Sequence, residues 1–140
     1  VVIVDEVYGA ATGEVGLHFQ LAPGEPAVDK KNFSLQTHYP EGWNLYLQTS
    51  HNQSQMQLLE EEGWVSHLYT IKEPRPAFCF NTNKTGTNPV IRYVTLLVPY
   101  KNRKPDIKVR ILNEPEKEPI SKMKLEITEN SSKKTIQYNL

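Results

Sequence analysis

A single cysteine, Cys79, is the only thiol in 140 residues. One thiol excludes an internal disulfide and any zinc site built from thiolates alone. No apolar run approaches the roughly 20 residues that a membrane-crossing helix needs. The opening "VVIV" is too short for a signal core and has neither a basic leader nor a small-residue cleavage site. The sequence starts without an initiator Met, so the expectation is a piece of a longer protein whose compartment its first residues do not reveal. Glycine-rich phosphate loops, serine-elbow patterns and metal-ligand repeats are also missing, which removes the common nucleotide, hydrolase and zinc-protease readings. Neither nucleic acid nor a membrane is expected as a partner.

Charge is balanced overall but not along the chain. Residues 1–70 carry nine acids against two bases, and residues 71–140 carry seven acids against fourteen bases. The basic half could attract a polyanion; charges scattered over solvated strand faces are the plainer reading.

Strand-like runs recur every dozen residues or so: 1–9, 14–21, 33–39, 43–49, 64–71, 76–81, 89–98, 106–112, 122–128 and 134–139. Most alternate apolar with polar, and turn clusters such as "LAPGEPAVD", "YPEGW", "NTNKTGTNP" and "YKNRKPD" separate them. This pattern predicts an all-β, antiparallel β-sandwich forming one domain over 1–140. The one helical contender, "SQMQLLEEEG" (54–63), reads equally as a strand with a polar face. The proline-spaced "ILNEPEKEPISK" (111–122) predicts an exposed connection, followed by a terminal hairpin of "MKLEITEN" and "KTIQYNL" around "SSKK". Residues 105–140 would then form a small C-terminal β-hairpin subdomain with too thin a core to stand alone.

The first two runs are expected to pair through "AATG". Val2 would then face Leu21, Val4 Phe19, Glu6 Leu17 and Tyr8 Val15, a face that is apolar apart from Glu6. On the other face Asp5 would oppose His18, with Cβ atoms about 4.5–5.5 Å apart. Such a pair could hydrogen-bond or hold a metal ion with help from Gln20, although an isolated surface pair contributes only about 0–1 kcal/mol. Zinc sites also need three or four ligands. His38 alternates onto a polar face with Ser34 and Gln36, His51 lies in a loop, and His67 shares a face with Val65 and Tyr69. Cys79, between Phe78 and Phe80, reads as an inert core residue. Sequons at Asn32, Asn52, Asn83 and Asn130 do not decide a compartment.

Three stretches together resemble the C-terminal β-sandwich region of heparinase II/III-type polysaccharide lyases, most like the heparan-sulfate lyases of Bacteroides-like bacteria. They are "VVIVDEVYG…GEVGLHFQLAPGE", "EEEGWVSHLYTIKEPRPAFCFN" and "VIRYVTLLVPYKNRKP", spanning roughly 1–104. The resemblance implies a parent enzyme with a helical toroid upstream, periplasmic or secreted, that cleaves acidic polysaccharides by β-elimination. In the family the base and acid come mainly from the toroid, so no catalytic role is assigned to any residue of this chain, and the isolated chain is expected to be inactive. The resemblance also implies one divalent metal ion, zinc or calcium, with Asp5 and His18 as the matching positions. The alternative is a stand-alone carbohydrate-binding or surface adhesion module that would use exposed aromatics such as Tyr46 and Tyr69; the substrate-binding residues are otherwise unassigned.

Overall fold

Runs of alternating β-branched and aromatic residues bury their apolar atoms by pairing into sheets. The computed structural model describes residues 1–51, 55–86, 90–113 and 122–139, with side chains described through residue 137. Its first strands are β1 (Val2–Val7), β2 (Gly13–Gln20), β3 (Ala27–Asp29), β4 (Ser34–Gln36), β5 (Asn44–His51) and β6 (Gln57–Glu61). Then come β7 (Trp64–Leu68), β8 (Ile71–Pro74), β9 (Ala77–Lys84) and β10 (Ile91–Tyr100), and finally β11 (Ile107–Ile111), β12 (Lys122–Glu129) and β13 (Ser132–Asn139). No helix occurs among the described residues.

The strands build a layered, wholly antiparallel structure, as the alternation predicts. A five-stranded middle sheet runs β1-β10-β5-β4-β3. The three-stranded sheet β2-β9-β6 packs on one of its faces through Leu35, Leu47, Ile91 and Tyr93 against Leu58, Phe78 and Phe80. A second three-stranded sheet, β11-β12-β13, covers the other face, where Val94 and Leu96 meet Val109, Ile111, Met123 and Leu125. β10 is therefore buried on both sides, which is why "VIRYVTLL" reads as a nearly unbroken apolar run rather than an alternation. The ribbon β7-β8 forms a separate two-stranded sheet.

The predicted β1–β2 hairpin does not form. β1 pairs with β10 in the middle sheet and β2 with β9 in the adjacent one. Gly9 and Gly13, both at positive φ, turn the chain from one layer to the other. Buried Lys84 secures that corner, donating to the carbonyls of Gly9 and Gly86 at 2.7 Å each. The reason the hairpin loses is visible at Glu6. In the hairpin its carboxylate would oppose Leu17; in the fold it opposes Arg92 of β10, whose Nε donates to Glu6 Oε1 at 2.5 Å. Arg92 is 0% exposed, so its charge requires that partner. The predicted inward residues are consequently split. Val2 and Val4 pack against the core under β11 and β12, while Val15, Leu17, Phe19 and Leu21 belong to the other core. Tyr8, predicted inside, is 66% exposed because β1 ends at Val7.

Other departures are local. The segment 54–63 contains strand β6, and β3 is a short strand the alternation did not reveal. The predicted strand 64–71 breaks at Thr70, which sits at positive φ between β7 and β8. The terminal hairpin exists, but its turn is Asn130–Ser131, both left-handed, with Glu129 opposite Ser132. That is the backbone a two-residue hairpin turn requires. The C-terminal strands share their core with Val94 and Leu96 of β10. Most of the predicted connection 111–122 and Asn52 lie outside the described residues.

Phe80 is fully buried and Phe19 packs edge-on against it, with ring centroids 5.9 Å apart, from a half-buried position. Phe80→Ala should therefore cost about 3–5 kcal/mol in denaturant titration, and Phe19→Ala distinctly less. Equal losses would mean that this core is misdescribed. Tyr93 bridges the layers, donating its hydroxyl to the Val15 carbonyl at 3.0 Å, and burial, with a smaller push from Cys79, raises its phenol from 10.0 to about 12. The folded chain then holds this proton more tightly than the unfolded chain. Its contribution to stability should be complete below pH 10 and lost as pH rises through about 12. Denaturant midpoints measured across that window, with Tyr93→Phe as reference, check it.

Candidate functional site

Alternation along β2 turns Val15, Leu17 and Phe19 inward and leaves Glu14, Gly16, His18 and Gln20 on the outer face of its sheet. Antiparallel register decides their neighbours. His18 stands opposite Cys79 of β9, and Cys79 stands opposite Leu59 of β6; two residues along, Ala77 lies between Gln20 and Glu61. Three strands distant in sequence thus place an imidazole, a thiol and a carboxylate together. Glu61 Oε2 is 2.8 Å from His18 Nδ1, and Cys79 Sγ is 3.7 Å from His18 Nε2.

The partners assign the tautomer. The carboxylate accepts from Nδ1–H, which leaves the Nε2 lone pair facing the thiol. Gly16 makes this arrangement fit: a Cβ there would come 2.6 Å from Cys79 Sγ and 2.7 Å from His18 Nε2. Glu14, Leu59 and Asn81 complete the lining of a shallow depression around the three groups. Cys79 is only 4% exposed, whereas His18 and Glu61 are open to solvent. Burial, followed by the negative charges of Glu61 and Glu14, pushes the Cys79 thiol up. A protonated, covered thiol is a poor nucleophile. As donors, the three ligand atoms lie within 4.8 Å of one another. One sulfur, one nitrogen and one oxygen suit zinc, not calcium, which takes six to eight oxygens.

The Asp5–His18 opposition expected from the sequence is not formed, because the two residues lie in different sheets. Asp5 opposes Tyr93 on β1, while His18 takes its neighbours from β9 and β6. Sequence reasoning missed Glu61 and Cys79 as companions of His18, and no local signal pairs them, since each comes from a strand matched only by long-range register. His38 Nε2 lies 3.0 Å from Gln36 Nε2, His51 stacks edge-on against Phe33, and His67 is exposed on β7. Of the aromatics proposed for sugar stacking, Tyr46 is 4% exposed beneath Lys104, while Tyr69 is 96% exposed at the β7–β8 turn. Trp43 and Trp64 are also exposed; Lys72 sits 3.9 Å over the Trp64 ring.

Alkylation of Cys79 by iodoacetamide should be slower than that of an unfolded thiol, with a pH midpoint above 9.0. Because the Glu61 charge contributes to that rise, Glu61→Gln should move the midpoint down. A midpoint at or below the ordinary thiol value would contradict the described burial.

No protein-family model matches the chain. It is 31% identical over 141 residues to the heparin-sulfate lyase of Bacteroides stercoris, a match covering 99% of this chain and 21% of that protein. It is 38% identical over 112 residues to the heparin-sulfate lyase of Pedobacter heparinus, covering 77% and 16%. Among solved structures, a heparinase III superposes with a TM-score of 0.87 at 31% identity, covering 99% of this chain and 22% of that one. The heparan sulfate lyase of Pedobacter heparinus gives 0.86 at 32%, covering 99% and 22%. The chain spans about a fifth of the length of the first of these curated relatives and about a sixth of the second. Sequence and fold together identify it as a heparinase-type domain, the counterpart of the C-terminal part of these longer lyases.

Proposed function

We propose that this chain is the non-catalytic β-sandwich domain of a lyase that cleaves heparan-sulfate-type glycosaminoglycans by β-elimination. The observation that carries the reading is the coverage: a match along 99% of this chain corresponds to only 21% of a heparin-sulfate lyase. In such a reaction the uronate carboxylate at C5 is neutralised, a base removes the C5 proton and an acid protonates the leaving oxygen. Matched acid–base groups and an electrostatic partner for the carboxylate supply most of the acceleration. These groups belong to an upstream helical toroid in this proposal, and the β domain supports that toroid and the bound acidic polysaccharide. A periplasmic or secreted location goes with the same reading.

A second reading, a sugar-binding module, is favoured by the exposure of Trp43 and Tyr69, whose rings are free to stack on a sugar. Turnover tests the assignment of catalytic roles, and sugar binding that depends on these two aromatics tests the second reading. The 140-residue chain mixed with heparan sulfate should give no rise in the absorbance of unsaturated uronate, and robust turnover would overturn the assignment of roles. Calorimetric binding of heparan-sulfate oligosaccharides by the same chain, lost in Trp43→Ala and Tyr69→Ala, would favour the second reading.

A further inference from the structure

We propose that the outer face of the β2-β9-β6 sheet is a zinc-binding site, with Cys79 Sγ and His18 Nε2 as ligands and Glu61 as the carboxylate that orients the imidazole. Zinc bonds of about 2.3 Å to sulfur and 2.0–2.1 Å to nitrogen, at a tetrahedral angle, separate the two ligand atoms by about 3.6 Å. The Sγ···Nε2 distance here is 3.7 Å. A cation can therefore enter between them with almost no movement of either strand.

The second ring nitrogen is already engaged as zinc-bound histidines require. A ligating histidine ordinarily gives its other N–H to a carboxylate, which fixes the tautomer and makes the ligand more basic. His18 Nδ1 lies 2.8 Å from Glu61 Oε2. The remaining coordination positions open onto the depression, where the Glu14 carboxylate on the same lining is the donor available as third protein ligand and water fills the fourth position. Gly16 leaves free the space where a Cβ would collide with both ligand atoms. When zinc binds, the Cys79 S–H bond breaks, its proton leaves to solvent, and the thiolate electron pair forms the Zn–S bond. This site differs from the Asp5–His18 pair expected from the sequence, and it does not rest on the lyase reading.

Cobalt is the probe, because a thiolate-to-cobalt charge-transfer band reports sulfur ligation directly. Titration of the reduced 140-residue chain with Co²⁺ should give that band at one equivalent, and Zn²⁺ should displace it. His18→Ala alters a solvent-exposed side chain and should abolish the band while leaving the thermal melting curve of the metal-free chain nearly unchanged. Glu61→Gln should keep the band but weaken zinc affinity by about 10–100-fold. Gly16→Ala should prevent uptake, and Asp5→Ala should leave it intact. Absence of the band in the wild-type chain overturns the proposal. So does full uptake by His18→Ala, or loss of uptake in Asp5→Ala alone.

Discussion

Strand β10 is covered on both faces from Ile91 to Leu96, and the rest of the structure is arranged around that constraint. Residues Ile91, Tyr93 and Leu97 point into one core and Val94, Leu96 and Val98 into the other, so two sheets must cover the middle one. Its two edges are equally committed, one to β1 and one to β5. Arg92 sits within this doubly buried strand and makes the pairing with β1 specific. A buried guanidinium tolerates a carboxylate opposite it and little else, and Glu6 supplies one. The net stabilisation from such a pair is small, because desolvation offsets attraction. Its value lies in register: sliding β1 by one residue would separate the two charges and turn Val2 and Val4 out of their core.

The outer site is tied to the same packing through β9. Phe78 and Phe80 are locked into the core on one side, so Cys79 between them has only one direction available. The thiol is thereby held still beneath His18, and the imidazole is held from its other end by Glu61. Rigid strands, not loops, carry all three groups, and strand-borne sites keep their geometry better than loop-borne ones. The exposed ribbon β7-β8 contrasts with this, since it carries Leu68, Tyr69 and Ile71 into solvent.

Much of this fold was legible because strand alternation is a local property. The inward set Val15, Leu17, Phe19 and Leu21 follows from period two alone, as does the outward position of His18. The antiparallel class and the terminal hairpin follow from spacing and turn chemistry. Partner choice was not legible. "AATG" is a plausible turn between two apolar-faced strands, and a short hairpin closes a smaller loop than a pairing with residue 96 does. Burial against β10 and β9 outweighed that advantage. The companions of His18 were lost by the same step, since Glu61 and Cys79 meet it only through β6 and β9. Glu6 was the available clue, a carboxylate on an otherwise apolar face that predicts a cationic partner the hairpin does not provide.

The pairing of β1 with β10 also fixes an order of events. A ribosome releases Val2 long before it releases Leu96, the residue Val2 must pair with. While residues 8–90 are being made, the first strand is an apolar, edge-competent segment whose Glu6 has yet to meet Arg92, and its nearest neighbour in sequence, β2, waits likewise for β9. Non-local pairings of this kind fold slowly and leave nascent strands open to mispairing.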